Sequence, residues 1–269
     1  MQAGVAAEAR EDLVVGEEPL EIRIGHGPAG QRHQHSISVT MRTPGHDLEL
    51  ALGFLYGEGL IQSQDDLAHL DHCTQVQTEE ERGNVVKAEL KAHISFDAAR
   101  LQRHFYSTSS CGVCGKASIA ALEAQGCGVI PDSGHRWPAA LLYGLPERLQ
   151  AQQVVFRHTG GIHSAALVSA DGAHFLLRED VGRHNAVDKV IGAQLALGRL
   201  PLQDHCLFLS GRAGFELVQK AAMAGIPVLA AIGAPSSLAV ATAERYGMTL
   251  VGFVKGDRLN IYTGADRIA

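Results

Sequence analysis

The chain has 269 residues, 46% of them hydrophobic and 19% charged, which is ample material for one large packed domain or two modest ones. A formal net charge of −6 argues against broad nonspecific nucleic-acid binding, while leaving room for a local basic pocket that receives an anion. Residues 1–12 (MQAGVAAEARED) lack the basic start and apolar core of an export signal, and no later stretch reaches the roughly eighteen uninterrupted apolar residues of a membrane span, so a soluble cytoplasmic protein with no membrane partner is expected.

In chain order, residues 18–24 (EPLEIRI) and 35–42 (HSISVTMR) alternate apolar and polar side chains like half-buried strands, and read as a hairpin-like pair around the Gly/His/Pro-rich residues 25–33. After a turn at 43–45, residues 46–60 place Leu48, Leu50, Ala51, Leu52, Phe54 and Leu55 at helical spacing, with Gly57 and Gly59 as the stop. Strand patterning returns over 67–96 around the glutamate-rich loop 78–84, and residues 117–125 read as an alanine-rich helix. Residues 126–136 look like a connection between two halves of the fold. The second half alternates: strands at 153–158, 165–169 and 174–178, a helix at 185–197, a strand at 206–210, a helix at 216–224, a strand at 228–231, a helix at 237–246 and a strand at 249–254. That succession predicts an α/β fold with a mixed sheet layered with helices.

The densest chemical signal is Ser109-Ser110-Cys111-Gly112-Val113-Cys114-Gly115-Lys116, a C-x-x-C pair just before a predicted helix. Helix N–H groups, the helix dipole and Lys116 favour a thiolate there, and the glycines permit close approach. A thiolate can attack a sulfur donor, hold the extra sulfur as a persulfide and pass it on. Taken alone, a C-x-x-C pair is also compatible with a metal half-site or a dithiol redox centre. Structural zinc usually needs a second ligand pair, and Cys73, Cys127 and Cys206 are single, so those three read as packed hydrophobes and no metal site is expected.

Three segments suit an anionic ligand. Residues 159–164 (TGGIHS) place two glycines between predicted strands. In residues 178–189 (REDVGRHNAVDK), Arg183 and Lys189 can pair with phosphate, His184 and Asn185 can donate to it near a helix start, and Asp180 or Asp188 could read a purine edge. In residues 210–214 (SGRAG), a strand hands over to a helix with Arg212 facing outward. Neither a P-loop nor a G-x-G-x-x-G fingerprint is present, which counts against ATP hydrolysis and Rossmann-type NAD binding. Near the end, Gly252, Phe253, Val254, Lys255, Gly256 and Asp257 carry a strand into a turn, with a plain hairpin equally compatible.

The segments 41–61 (MRTPGHDLELALGFLYGEGLI), 109–119 (SSCGVCGKASI), 159–167 (TGGIHSAAL), 179–192 (EDVGRHNAVDKVIG), 210–247 and 249–262 (TLVGFVKGDRLNIY) together resemble the formate dehydrogenase accessory sulfurtransferases of the FdhD/NarQ family. The resemblance implies a smaller N-terminal α+β domain over 1–137, ending with the C-x-x-C loop and its helix, and a cytidine-deaminase-like α/β domain over 138–269. It implies a sulfur carrier loaded by a cysteine desulfurase, with Cys111 as the persulfide position and Cys114 beside it. The acceptor would be the molybdenum of a bis(molybdopterin guanine dinucleotide) cofactor destined for formate dehydrogenase, bound around 252–257, with Arg183, His184 and Arg212 as further candidates. It also implies a homodimer. The zinc signature of deaminase chemistry is lacking: His163 is followed by Ser164 and Ala165, with no glutamate. Competing readings are a dithiol oxidoreductase, a zinc-dependent deaminase-like enzyme and a cofactor-binding chaperone whose cysteines only shield the metal.

Overall fold

The structure is a computed structural model that describes residues 11–96 and 127–269, apart from Gln75 and Gln77. The sequence motif with Cys111 and Cys114, and the helix expected after it, lie outside the described residues. Strands β1 (Glu18–His26) and β2 (His33–Arg42) form the expected antiparallel pair, and β3 (Leu67–His72) and β4 (Val85–Leu90) complete a first sheet of order β2-β1-β4-β3. In β1, Leu20, Ile22 and Ile24 alternate inward and are fully buried, the signature that made the strand legible. They meet helix α1 (Asp47–Gly57), whose Leu50, Leu52 and Leu55 fill the same core.

The second sheet has six strands: β5 (His163–Ser169), β6 (Phe175–Asp180), β7 (His205–Leu209), β8 (Val228–Ala231), β9 (Thr249–Lys255) and β10 (Arg258–Thr263), in the order β10-β9-β8-β7-β5-β6. Strands β7, β8 and β9 are parallel and the remaining neighbours antiparallel, so the sheet is mixed. One face is covered by α5 (Arg183–Leu195), α6 (Phe215–Met223) and α7 (Ser237–Arg245). The other is covered by α2 (Ala139–Tyr143) and α3 (Leu145–Gln152), where Trp137, Leu142, Leu145 and Leu149 pack on Phe208 and Val251. Both faces are covered, so β7 and β8 read as unbroken apolar runs rather than alternating ones.

One expectation fails here. Residues 153–158 are not a strand: Val154–Thr159 is a short helix, α4. Val154 and Val155 are β-branched and favour a strand locally, but the carboxylate of Glu179 on β6 accepts hydrogen bonds from the Val155 and Phe156 N–H groups, both at 2.9 Å. That distant carboxylate satisfies the free donors of a helix start, so tertiary context overrides local propensity. The helices over 139–152 carried no clear periodic signal, and β10 was only one of two readings of the chain end. Among the described residues, no helix is long and apolar enough to cross a membrane.

Helices α1 and α5 touch backbone to backbone. A Cβ on Gly53 would lie 1.9 Å from the Asp188 carbonyl oxygen, and one on Gly192 would lie 1.9 Å from that of Glu49. Around this contact, Arg178 forms a two-pronged ion pair with Glu49 at 2.6 and 2.8 Å, and the Tyr56 hydroxyl donates to the Met223 carbonyl at 2.7 Å. Replacing either glycine by alanine in an exposed helix would add about 1 kcal/mol of stability. Here Gly53→Ala and Gly192→Ala should each lose about 1–3 kcal/mol through overpacking, and the double variant should lose less than the sum, because one separation of the helices relieves both clashes. Urea denaturation of the three variants tests this.

Candidate functional site

Strand polarity gathers the segments expected to meet a ligand on one edge of the second sheet. Because β5 runs antiparallel to both β6 and β7, His163 at the start of β5 lies opposite Asp180 at the end of β6, and Ala165 lies opposite Leu209 at the end of β7. The carboxyl ends of β8 and β9 fall on that same side. The segments around His163, Arg183, Arg212 and Phe253 are thus brought to one rim, the usual ligand position in open α/β sheets.

Glycines let the rim loops stack. A Cβ on Gly233 would sit 2.8 Å from the Gly211 carbonyl oxygen and 2.9 Å from the Arg212 backbone, and one on Gly252 would sit 2.9 Å from Pro235 Cδ. Phe253 adopts a left-handed backbone (φ 53°), is 42% exposed and donates its N–H to the Gly233 carbonyl at 3.2 Å. A non-glycine residue in that conformation is uncommon and strained, a feature often found at binding sites. Gly252 and Val254 are buried and offer no side chain to a ligand, while Lys255, Gly256 and Asp257 form the exposed tip of the β9–β10 hairpin.

A cleft of about 530 Å³ opens beside this rim, between α3, α4 and the strand ends, and its walls include Glu147, Gln150, Phe156, Ile162, His163 and Ser210. Its floor is fixed by a short relay: Gln153 Nε2 donates to Ser164 Oγ at 2.9 Å, and the Ser164 N–H donates to Ser210 Oγ at 2.9 Å. Nothing in the sequence marked Gln153, Phe156 or Glu147, because they lie outside any motif; only the tertiary fold brings them against His163.

The charges divide into two sets. Asp180 is fully buried and saturated, accepting from Lys189 Nζ at 2.7 Å, the Gly182 N–H at 2.8 Å, Asn185 Nδ2 at 3.0 Å and the Thr43 N–H at 3.2 Å. Asp188 is buried against Lys220 Nζ at 2.7 Å. Asp180, Asp188 and Lys189 therefore do not meet a ligand as the sequence suggested: an ion buried this deeply is retained only with its partner, and Asp180 and Lys189 also bond Thr43, after β2 of the first sheet. By contrast, neither Arg183 nor Arg212 forms a salt bridge among the described residues. His184 stands between the sets, with Nε2 at 2.8 Å from Glu216, whose carboxyl that contact holds below its ordinary value.

Burial, and then the electrostatic influence of Arg183 and His184 nearby, push the His163 imidazole below its ordinary value of 6.5, so it stays neutral at pH 7 and can donate or accept a hydrogen bond. Burial pushes the Cys127 thiol up to about 11 and the Cys206 thiol up to about 12. Both are thus packed hydrophobes rather than nucleophiles, as the sequence suggested.

Guanidinium groups without a salt bridge among the described residues, a neutral imidazole and glycine-stacked backbone meet at the end of a mixed sheet in an α/β scaffold, a combination whose chemistry suits an anion. More specifically, residues 15–269 match the FdhD/NarQ family, and the chain belongs to that family. It is 49% identical over 269 residues to the sulfur carrier protein FdhD of Mycolicibacterium paratuberculosis, covering 100% of this chain and 96% of the relative. It is 48% identical over 275 residues to the sulfur carrier protein FdhD of Streptomyces coelicolor, covering 98% of this chain and 92% of the relative. A Desulfotalea psychrophila crystal structure described as a formate dehydrogenase accessory protein superposes with a TM-score of 0.70 at 25% identity, over 96% of this chain and 91% of that one.

The His163 environment makes a titration prediction. Its folded value lies below its unfolded one, so its contribution to stability is present above pH 6.5 and is lost as pH falls through the folded value. NMR of the ring should show a midpoint below 6.5, and Arg183→Gln should raise that midpoint without fully restoring it, since burial is the larger cause.

Proposed function

We propose that this chain is a sulfur carrier serving a molybdenum enzyme of formate metabolism. Its Cys111 takes sulfur from the persulfide of a cysteine desulfurase and delivers it to the molybdenum of a bis(molybdopterin guanine dinucleotide) cofactor destined for formate dehydrogenase. The observation that carries the reading is the rim of the second sheet, where Arg183 and Arg212 are left without salt-bridge partners among the described residues while the buried cations beside them are paired. A guanine dinucleotide carries the phosphates that such groups select. The family and the relatives' names support the sulfur-carrying half.

The chemistry balances on this chain's own thiols. In loading, the Cys111 thiolate attacks the outer sulfur of the donor persulfide, forming the Cys111 S–S bond and releasing the donor's thiolate. The sulfur carried is two electrons more oxidised than sulfide. In delivery, the Cys114 thiol attacks Cys111 Sγ, forming a Cys111–Cys114 disulfide and supplying both electrons. The sulfide released replaces an oxo ligand of the molybdenum substrate, and that oxygen leaves as water with the two protons of the persulfide and the thiol. A cellular dithiol then reduces the disulfide. The cofactor is cargo here, and the rim residues hold its nucleotide end while the cysteines act.

Mass spectrometry after incubation with a cysteine desulfurase and cysteine should show an added mass of about 32 Da on the Cys111 peptide, and none in Cys111→Ala. Cys114→Ala should still load sulfur but fail to deliver it, accumulating the persulfide. A Cys111→Ala protein that matures formate dehydrogenase to full activity would rule the carrier role out and favour a chaperone. Disulfide exchange with a generic substrate, independent of any guanine nucleotide, would favour the oxidoreductase.

A further inference from the structure

The cleft beside the rim contains a group that the phosphate-binding reading does not use. Glu147, on the first turn of α3, is the one carboxylate in its wall among the described residues. It has no hydrogen bond or ion pair among the described residues, although Gln153, Ser164 and Ser210 nearby are spent on one another. A carboxylate repels phosphate, so its useful ligand partner is a pair of N–H donors. The same wall presents Phe156, whose ring is 39% exposed and whose backbone is pinned by Glu179. A partly exposed ring on a fixed backbone is a stacking platform for a planar base.

Glu147 Oε1 also comes within 3.4 Å of where a Cβ on Gly256 would stand, so this end of the cleft meets the β9–β10 hairpin. Gly211, His163 and Arg183 cluster elsewhere along the same rim. The cleft therefore offers a stacking ring with an N–H-accepting carboxylate, and separately a cationic region. Its volume of about 530 Å³ lies within the range that holds a small-molecule ligand.

We infer that Glu147 is the specificity residue of this site: it accepts the N1–H and 2-amino hydrogens of a guanine base stacked on Phe156, with the phosphates directed toward Arg183 and the glycine-lined loops. The inference rests on the cofactor reading above and assigns its base-recognising residues. Among the common purines, guanine alone presents two adjacent N–H donors on that edge. Adenine presents a bare N1 acceptor, which a carboxylate rejects, and hypoxanthine keeps the N1–H but lacks the 2-amino group.

The test is calorimetric titration of the full chain with GDP, IDP and ADP, each variant being checked for an unchanged far-UV spectrum. The native protein should bind GDP more tightly than IDP, and IDP more tightly than ADP. Glu147→Gln should weaken GDP by about tenfold or more and erase most of its preference over ADP. Phe156→Ala should weaken all three by about tenfold, because stacking ignores base identity. Arg183→Gln should also weaken all three alike, leaving their order intact. A native protein that binds GDP and ADP equally, or a Glu147→Gln protein that keeps the GDP preference, overturns the assignment of Glu147 while the anion site stands. Failure of the native protein to bind any of the three overturns both the assignment and the cofactor reading.

Discussion

The contact on which the rest of the structure depends is the crossing of α1 and α5, where Gly53 and Gly192 let two helix backbones meet without side chains between them. Helix α1 belongs to the core of the first sheet, and α5 to the core of the second. The crossing therefore leaves no room for slack between the two layers. It also sets where α5 begins, and that beginning carries Arg183 and His184 at the rim. The surrounding bonds reinforce the same placement: Asn185 Nδ2 donates to the Met41 carbonyl at 2.8 Å, and Lys189 Nζ donates to the Thr43 carbonyl at 2.8 Å. The helix start that bears Arg183 and His184 is thus held in place by bonds to the end of β2 and the chain just after it.

Fold and site divide their charged residues cleanly. Buried charges such as Asp180 with Lys189 and Asp188 with Lys220 are compensated inside the protein, and the first pair reaches across to Thr43. At the rim, Arg183 and Arg212 form no salt bridge among the described residues. A net charge of −6 is therefore compatible with a locally positive rim, because the field at one place is set by the few groups nearest to it. The lowered titration of His163 belongs to the same pattern, since burial first, and then Arg183 beside it, disfavour the charged imidazole.

Much of the architecture could be read directly from residue order. The alternation in β1 and β2, the glycine stop of α1, and the strand and helix succession from β7 to β9 depend on local periodicity, and all appear where expected. Helix α4 was hidden because its start is capped by Glu179, more than twenty residues away on another strand. The charged run from Asp180 to Lys189 was legible as unusual chemistry but not as two different kinds of chemistry. Its members look alike in sequence, and only burial separates Lys189, at 1% exposure, from the half-buried Arg183, which forms no salt bridge among the described residues.

Residue types and their spacing by themselves determined the family, the mixed α/β class and the set of motifs able to handle sulfur or an anion, because each depends on near neighbours along the chain. Tertiary structure alone decided which of those motifs share an edge, which charges are consumed in holding the layers together and which unmarked side chains, Phe156 and Glu147 among them, line the cleft. The physical reason is that those outcomes follow from strand polarity, close backbone approach and pairings such as Thr43 with Asp180, which join residues 137 positions apart.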